Sequence, residues 1–411
     1  MVKIKVVDSI MGSGKTQSAI NLMNKEDDNN YIFITPYLNE VERIKKSCSN
    51  RRFYEPKIYS KDGALHTKFD SLHELLANEK NIASTHALFK RANDETKELI
   101  HAGNYTLILD EVMNVVEELN VRKDDFQLLL DTNCVIVDDD NIIHWNHDKI
   151  GYDTRYNDIK DMAMNNTLIY FRKTVLMWTF PVDVFKAFNE VYILTYLFDA
   201  QIQKYYYDMY GLEYNKYIAL NENNEYKFKQ VDHTYSDKHI KDQLKDKIHI
   251  YEGKLNAIGD NKYSLSKGWF EKKNKDLQTK LKNNVGNFFK NKMKAKSNEV
   301  MWTVFKEFES KIKGQGYSKS HVSLTARATN EYKDRIYLAY TVNRFLNPII
   351  EGFFYERNVR VNEDQFALSE LLQWIWRSRI RDDKEIHLYI PSLRMRTLFI
   401  KWLNDEDITF K

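Results

Sequence analysis

Residues Lys5–Gln17, KVVDSIMGSGKTQ, decide how the chain is read. An apolar run with β-branched residues leads into a loop containing Gly12, Ser13 and Gly14. Lys15, Thr16 and Gln17 follow, opening a segment with a helical pattern, SAINLMN. Strand, glycine loop and helix in that order make a phosphate cradle. Gly12 and Gly14 let the backbone turn its N–H groups toward an anion, and the helix N-terminus adds partial positive charge. Lys15 can reach the β- and γ-phosphates of a nucleoside triphosphate, and the Thr16 hydroxyl can hold Mg²⁺. One position departs from the pattern G-x-x-x-x-G-K-[ST]: Ser9 stands where glycine is usual. Serine is small enough for the turn.

The same alternation continues downstream. In YIFITPYLNEVERI, Tyr31 to Ile34 reads as a buried strand that Thr35-Pro36 ends, with a helix from about Asn39. In NIASTHALFKR a short strand ends at Ser84-Thr85-His86 and a helix begins there. In YTLILDEVMNVVEEL, Tyr105 to Leu109 is a continuous apolar strand with Asp110-Glu111 at its end and a helix expected beyond. Repeated strand–loop–helix units imply a mostly parallel sheet, whose ligands bind at the carboxyl ends of the strands. Thr16, Thr35, Thr85 and Asp110 are therefore expected on one sheet edge. There Asp110 would hold Mg²⁺, and Glu111 would polarise the water that attacks the γ-phosphate.

At 411 residues the chain is long enough for two domains. No apolar run approaches the roughly 18 residues needed to span a membrane, and the N-terminus shows no signal-peptide pattern. The cysteines, Cys48 and Cys134, give neither a disulfide framework nor zinc spacing, which suits a reducing, cytoplasmic setting. A net charge of +3 announces no global field for nucleic acid, so local distribution must decide.

Residues 121–177 carry little chemistry. DTNCVIVDDDNIIHW reads as two strands around the acidic turn Asp138-Asp139-Asp140, a solvated hairpin rather than a metal site. The first domain is expected to cover 1–200 and the second 201–411. The most basic stretch, 266–296, sets ten lysines against Glu271 and Asp276, with Trp269, Phe270, Phe288 and Phe289 interspersed. It suits a phosphate backbone with base stacking, and equally a solvated helix with aromatics in the core. Near the end, ARATN offers Thr325, Arg327, Thr329 and Asn330 for phosphate-backbone contact. In LSELLQWIWRSRIRDD, Leu372, Ile375, Trp376 and Ile380 form an apolar stripe. Gln373, Arg377 and Arg381 recur every four residues and are expected to share a second helical face.

GSGKT, ITPYLNEVERI, STHALF and LILDEVM resemble motifs I, Ia, Ic and II of superfamily 2 helicases. The DEVM form is closest to the herpesvirus-type replication-origin-binding helicases and related phage proteins. ARATN resembles their motif V. Q-x-x-x-R resembles motif VI, although Trp376 stands in place of its glycine and Ile380 in place of its second arginine, with Arg379 and Arg381 on either side. Motif III falls on either TVLMWTFP (Thr179) or EVYILTYLFDA (Thr195), with Thr195 preferred. The resemblance implies two RecA-like α/β domains with parallel sheets, the second carrying the basic helical insert 266–296. It implies ATP and Mg²⁺ as cofactors, held by residues from Gly12 to Gln17 with Asp110. Gln373, Arg377 and Arg381 would act on the phosphates from the second domain, with Arg377 as arginine finger. Nucleic acid, with DNA favoured and RNA left open, would lie on Thr35, Pro36, Thr85, His86 and the 325–330 loop, with replication proteins as candidate further partners and no membrane. The implied activity is that of a phage or viral DNA replication helicase or translocase in the host cytoplasm. The alternative is an ATP-gated origin-binding module without unwinding. A terminase-type packaging motor ranks third, and a small-molecule kinase last.

Overall fold

The continuous apolar runs become strands buried on both faces, which is what a parallel sheet covered by helices demands. Tyr31, Ile32, Phe33 and Ile34 are all buried, as are Tyr105 to Leu109. The computed structural model describes residues 2–25, 29–223, 225–232, 235–272, 274–324 and 331–410. Its strands, in chain order, begin with β1 (Lys3–Asp8), β2 (Asn30–Thr35), β3 (Phe53–Tyr54) and the small hairpin β4 (Tyr59–Lys61) and β5 (Ala64–His66). Then come β6 (Asn81–Thr85), β7 (Tyr105–Asp110), β8 (Val116–Leu119), β9 (Val135–Val137) and β10 (Ile142–Trp145). Next are β11 (Leu168–Phe171), β12 (Val175–Thr179), β13 (Glu190–Thr195), β14 (Tyr214–Glu222) and β15 (Glu225–Gln230). The last are β16 (Ile248–Ile250), β17 (Val300–Thr303), β18 (Tyr337–Tyr340) and β19 (Ile386–Tyr389).

The chain divides into two units. The first comprises Met1–Ser9, Ser13–Gln230 and Asn347–Val361; the second comprises Ile10–Gly12, Val231–Leu346 and Asn362–Lys411. In the first, eight strands run in the order β15-β14-β1-β13-β7-β2-β6-β3. Every pairing in it is parallel except the β14–β15 hairpin. The second unit has a four-stranded parallel sheet, β16-β19-β18-β17. The α/β class with parallel sheets is as the sequence implied.

Three local expectations change. No helix follows Asp110-Glu111. Glu111 takes a left-handed backbone (φ 64°), the Met113 N–H is held by the buried Gln203 Oε1 at 3.0 Å, and Val116 starts β8. That strand opens an antiparallel sheet, β8-β12-β11-β10-β9, inserted between two strands of the parallel one. Within it Asp138 caps its own hairpin, accepting from Asp140 and Ile142 N–H groups. Secondly, residues 201–230 lie in the first unit, because β14 pairs with β1. A helix at Pro348–Tyr355 also belongs there: Phe353 and Phe354 are fully buried, with Phe353 edge-on to Phe171. Thirdly, the helix bearing Gln373 ends at Ile375, so Gln373, Arg377 and Arg381 do not share one helical face. Trp376 turns inward against Trp402 and Ile380 is buried, and this packing overrides the sequence period.

Candidate nucleotide site

Residues 9–14 form the loop between β1 and the helix α1 (Lys15–Lys25). Gly12 and Gly14 have φ of +88° and +87°, the left-handed region that side chains avoid. Lys15 Nζ donates to the Ser9 carbonyl at 2.5 Å, so the lysine lies back along its own loop. The Ser9 hydroxyl accepts from the Ala219 N–H at 2.9 Å, which gives the serine at this place a packing role. Ser13 Oγ is buried with no hydrogen-bond partner among the described residues. An orphaned hydroxyl in a glycine loop at a helix N-terminus is a fit for phosphate oxygens.

The opposite wall is Asp110 at the end of β7. Thr16 Oγ1 donates to Asp110 Oδ1 at 3.3 Å, and Thr35 Oγ1 lies 3.5 Å from Oδ2. His86 Nε2 meets the Asp110 carbonyl oxygen at 3.1 Å. Thr16 of α1 and Thr35 at the end of β2 thus converge on the carboxylate that ends β7, and His86, just after β6, meets the main chain of the same residue, as the parallel topology requires. Thr195, at the end of β13, lies between β1 and β7 and pairs with Asp8. Thr179 is in the antiparallel sheet instead, pairing with Val116.

The electrostatics follow from burial. Asp110 is pushed up to about 7 by burial first and by the Glu111 and Glu40 carboxylates next, with Lys15 and Thr16 opposing. Lys15 is pulled down to about 8 by burial, against the attraction of Asp8, Asp110 and Glu111. Asp8 is raised to about 6 by burial, although it accepts from Leu197 N–H at 2.7 Å and Phe198 N–H at 3.0 Å. Asp8 was missed in the sequence; its signal is a carboxylate ending an apolar strand just before the glycine loop. Thr16 and Asp110 together could hold a divalent cation. Among the described residues no group of three or more His, Cys, Asp or Glu is placed to do so, so waters and phosphate oxygens would complete such a site.

The other expected residues fare differently. Thr35 is fully buried and faces Asp110, which leaves it no surface for a nucleic-acid backbone. His86 is buried with its ring nitrogen on the Asp110 main-chain carbonyl, whereas Pro36 and Thr85 are half-exposed. Thr325, Arg327, Thr329 and Asn330 lie outside the described residues. Gln373 is half-buried on its helix and Arg381 is exposed. Arg377 is 4% exposed and donates to the carbonyls of Ser323 and Leu324, at 2.9 and 3.3 Å. In the basic stretch Phe270, Phe288 and Phe289 are core residues, so of its two readings the packed one holds for these rings. Its described lysines stay in water or half so.

Residues 242–403 match the model described as the YonV C-terminal Rossmann-like domain, and residues 116–178 match the YonV middle domain. Over 412 residues the chain is 50% identical to the SPbeta prophage-derived uncharacterized protein YonV of Bacillus subtilis (strain 168), with 99% of this chain and 100% of that protein covered. The chain belongs to the YonV family. The family's middle domain coincides with the antiparallel sheet β8 to β12, and its Rossmann-like domain contains β16 to β19. Among solved structures, one named XPD helicase aligns at 12% identity and a TM-score of 0.47, covering 98% of this chain and 94% of that one. A structure of S. tokodaii Xpd4 aligns at 11% and 0.48, covering 97% and 94%. No helix among the described residues is long and apolar enough to cross a membrane.

Proposed function

We propose that this YonV-family chain is an ATP-dependent motor of the helicase or translocase type, working on DNA in a phage or prophage replication setting. One observation carries the nucleotide part: a glycine loop with Lys15 and Thr16 facing Asp110 across a parallel-sheet edge, Thr16 and Asp110 being 3.3 Å apart. Thr16 and Asp110 would hold Mg²⁺, which would neutralise charge on the phosphates. Lys15 would leave the Ser9 carbonyl for the β- and γ-phosphates. Ser13 Oγ and the Gly12–Thr16 N–H groups would bind phosphate oxygens. Glu111, on its left-handed turn next to Asp110, would orient the attacking water. The nucleic-acid part rests on the likeness of GSGKT, STHALF, LILDEVM and ARATN to helicase motifs, and the prophage derivation of the Bacillus relative supports the setting.

A second reading is an ATP-gated nucleic-acid-binding module without unwinding. The engagement of Arg377 with two carbonyls inside the second unit favours it, since an arginine so held is not free to act as a finger. The test is ATP hydrolysis across single-stranded, duplex and forked DNA and RNA, with strand displacement measured beside it. Hydrolysis stimulated by DNA and lost in Lys15→Ala is expected. Binding without displacement selects the second reading, and absence of hydrolysis with every nucleic acid refutes the motor.

A further inference from the structure

The β14–β15 hairpin packs against α1, and Tyr226 is set against the glycine loop. A Cβ on Gly14 would fall 2.3 and 2.4 Å from two carbons of the Tyr226 ring. Gly14 is therefore glycine for two reasons, its φ of +87° and the ring at its side. The ring is half-exposed, and its hydroxyl makes no hydrogen bond among the described residues. Its backbone, by contrast, is tied down. Asn21 Nδ2 donates to the Tyr226 carbonyl at 3.1 Å, and Gln17 Nε2 donates to Asn21 Oδ1 at 3.2 Å. Lys25 of α1 pairs with Glu225. An aromatic ring is thus held on the loop by contacts that do not involve its own polar atom.

A nucleotide seated in the loop must send its sugar and base away from the phosphates. On the sheet side Thr16 is bonded to Asp110, Lys15 to the Ser9 carbonyl, and Asp8 lies near Lys15. On the other side of the loop the half-exposed Tyr226 ring lies against Gly14, with the Gln17 amide bonded through Asn21 to the same hairpin. We propose that Tyr226 is the platform on which the base of the bound nucleotide stacks, with the Gln17 amide beside it to meet the base edge. This deepens the nucleotide reading above and rests on it. Stacking on a ring is tolerant of base identity, because every base has a π-face. Tyr226 therefore serves ATP and GTP alike, and it contributes nothing to a ligand that has phosphates but no base.

The experiment compares wild type, Tyr226→Ala, Tyr226→Phe and Lys15→Ala by calorimetric titration with Mg·ATP, Mg·GTP and inorganic tripolyphosphate. Circular dichroism and melting temperature verify that each variant is folded. Tyr226→Ala is expected to weaken ATP and GTP about tenfold, within the range of base–aromatic stacking, and to leave tripolyphosphate unchanged. Tyr226→Phe keeps wild-type affinities, because the hydroxyl has no part. ATP binding unchanged in Tyr226→Ala overturns the inference. So does an equal loss for ATP and tripolyphosphate, which would make the ring a prop of the loop. Wild-type protein that binds neither ATP nor tripolyphosphate overturns the nucleotide reading itself.

Discussion

Asp8 offers a perturbation whose size and sign both follow from its surroundings. Its carboxylate sits at the end of β1, accepts the Leu197 and Phe198 N–H groups and lies near Lys15 and Lys216. Burial still raises it from 3.8 to about 6. Between those values the folded chain holds more protons than the unfolded one, so the stability Asp8 contributes is full below about pH 4 and is lost as pH rises through 6. At about 1.36 kcal/mol per pH unit, the window is worth roughly 2–3 kcal/mol, the lower figure allowing for the part of Asp8 still open to solvent. Asp8→Asn keeps the shape and removes the titration. Its amide N–H₂ would face one of the two backbone donors, a penalty of about 1–3 kcal/mol that does not vary with pH. Urea unfolding of both proteins at pH 4 to 7, followed by tryptophan fluorescence, separates the two effects. The advantage of wild type over Asp8→Asn should shrink steadily across that range. A difference that stays level, or grows with pH, refutes a raised Asp8.

Four further outcomes follow from the site and its supports. Affinity for Mg·ATP should rise as pH passes up through about 7, because Asp110 must lose its proton to meet a cation; Asp110→Asn should bind Mg·ATP weakly at every pH, by calorimetry. Gln203→Leu leaves the buried Met113 N–H without its acceptor and should lower stability by about 1–3 kcal/mol in chemical denaturation. Phe353→Ala empties a fully buried place against Phe171 and should cost about 3–5 kcal/mol by the same measurement; a loss under about 1 kcal/mol would show that the helix Pro348–Tyr355 does not dock on the first unit's core. Arg377→Met leaves the Ser323 and Leu324 carbonyls without this donor, so a melting temperature equal to wild type would count against a structural role.

Much of this was legible in the chain because it is local. A glycine loop between a β-branched strand and a helix needs only neighbours in sequence, so the strand, loop and helix of residues 5–17 were readable by themselves. Strands buried on both faces are apolar throughout, so YIFIT and YTLILD were readable, and their ends announced the edge where Thr16, Thr35 and Asp110 meet. Family membership adds that the middle and C-terminal stretches are recurring domains.

Other features depend on partners far away in sequence. Thr35 looks like a free strand-end hydroxyl, but the adjoining β7 brings Asp110 against it. The four-residue spacing of Gln373, Arg377 and Arg381 promised one helical face, until the packing of Trp376 on Trp402 ended the helix at Ile375. No periodicity told that β14 would pair with β1, which moves residues 201–230 to the first sheet and carries Tyr226 onto Gly14 from some 210 residues away. Sequence alone determined that there is a glycine loop between a strand and a helix, and a parallel sheet to present it. Only the tertiary structure decided what flanks that loop, because long-range strand pairing and core packing are properties of two segments at once and leave no mark on either one read singly.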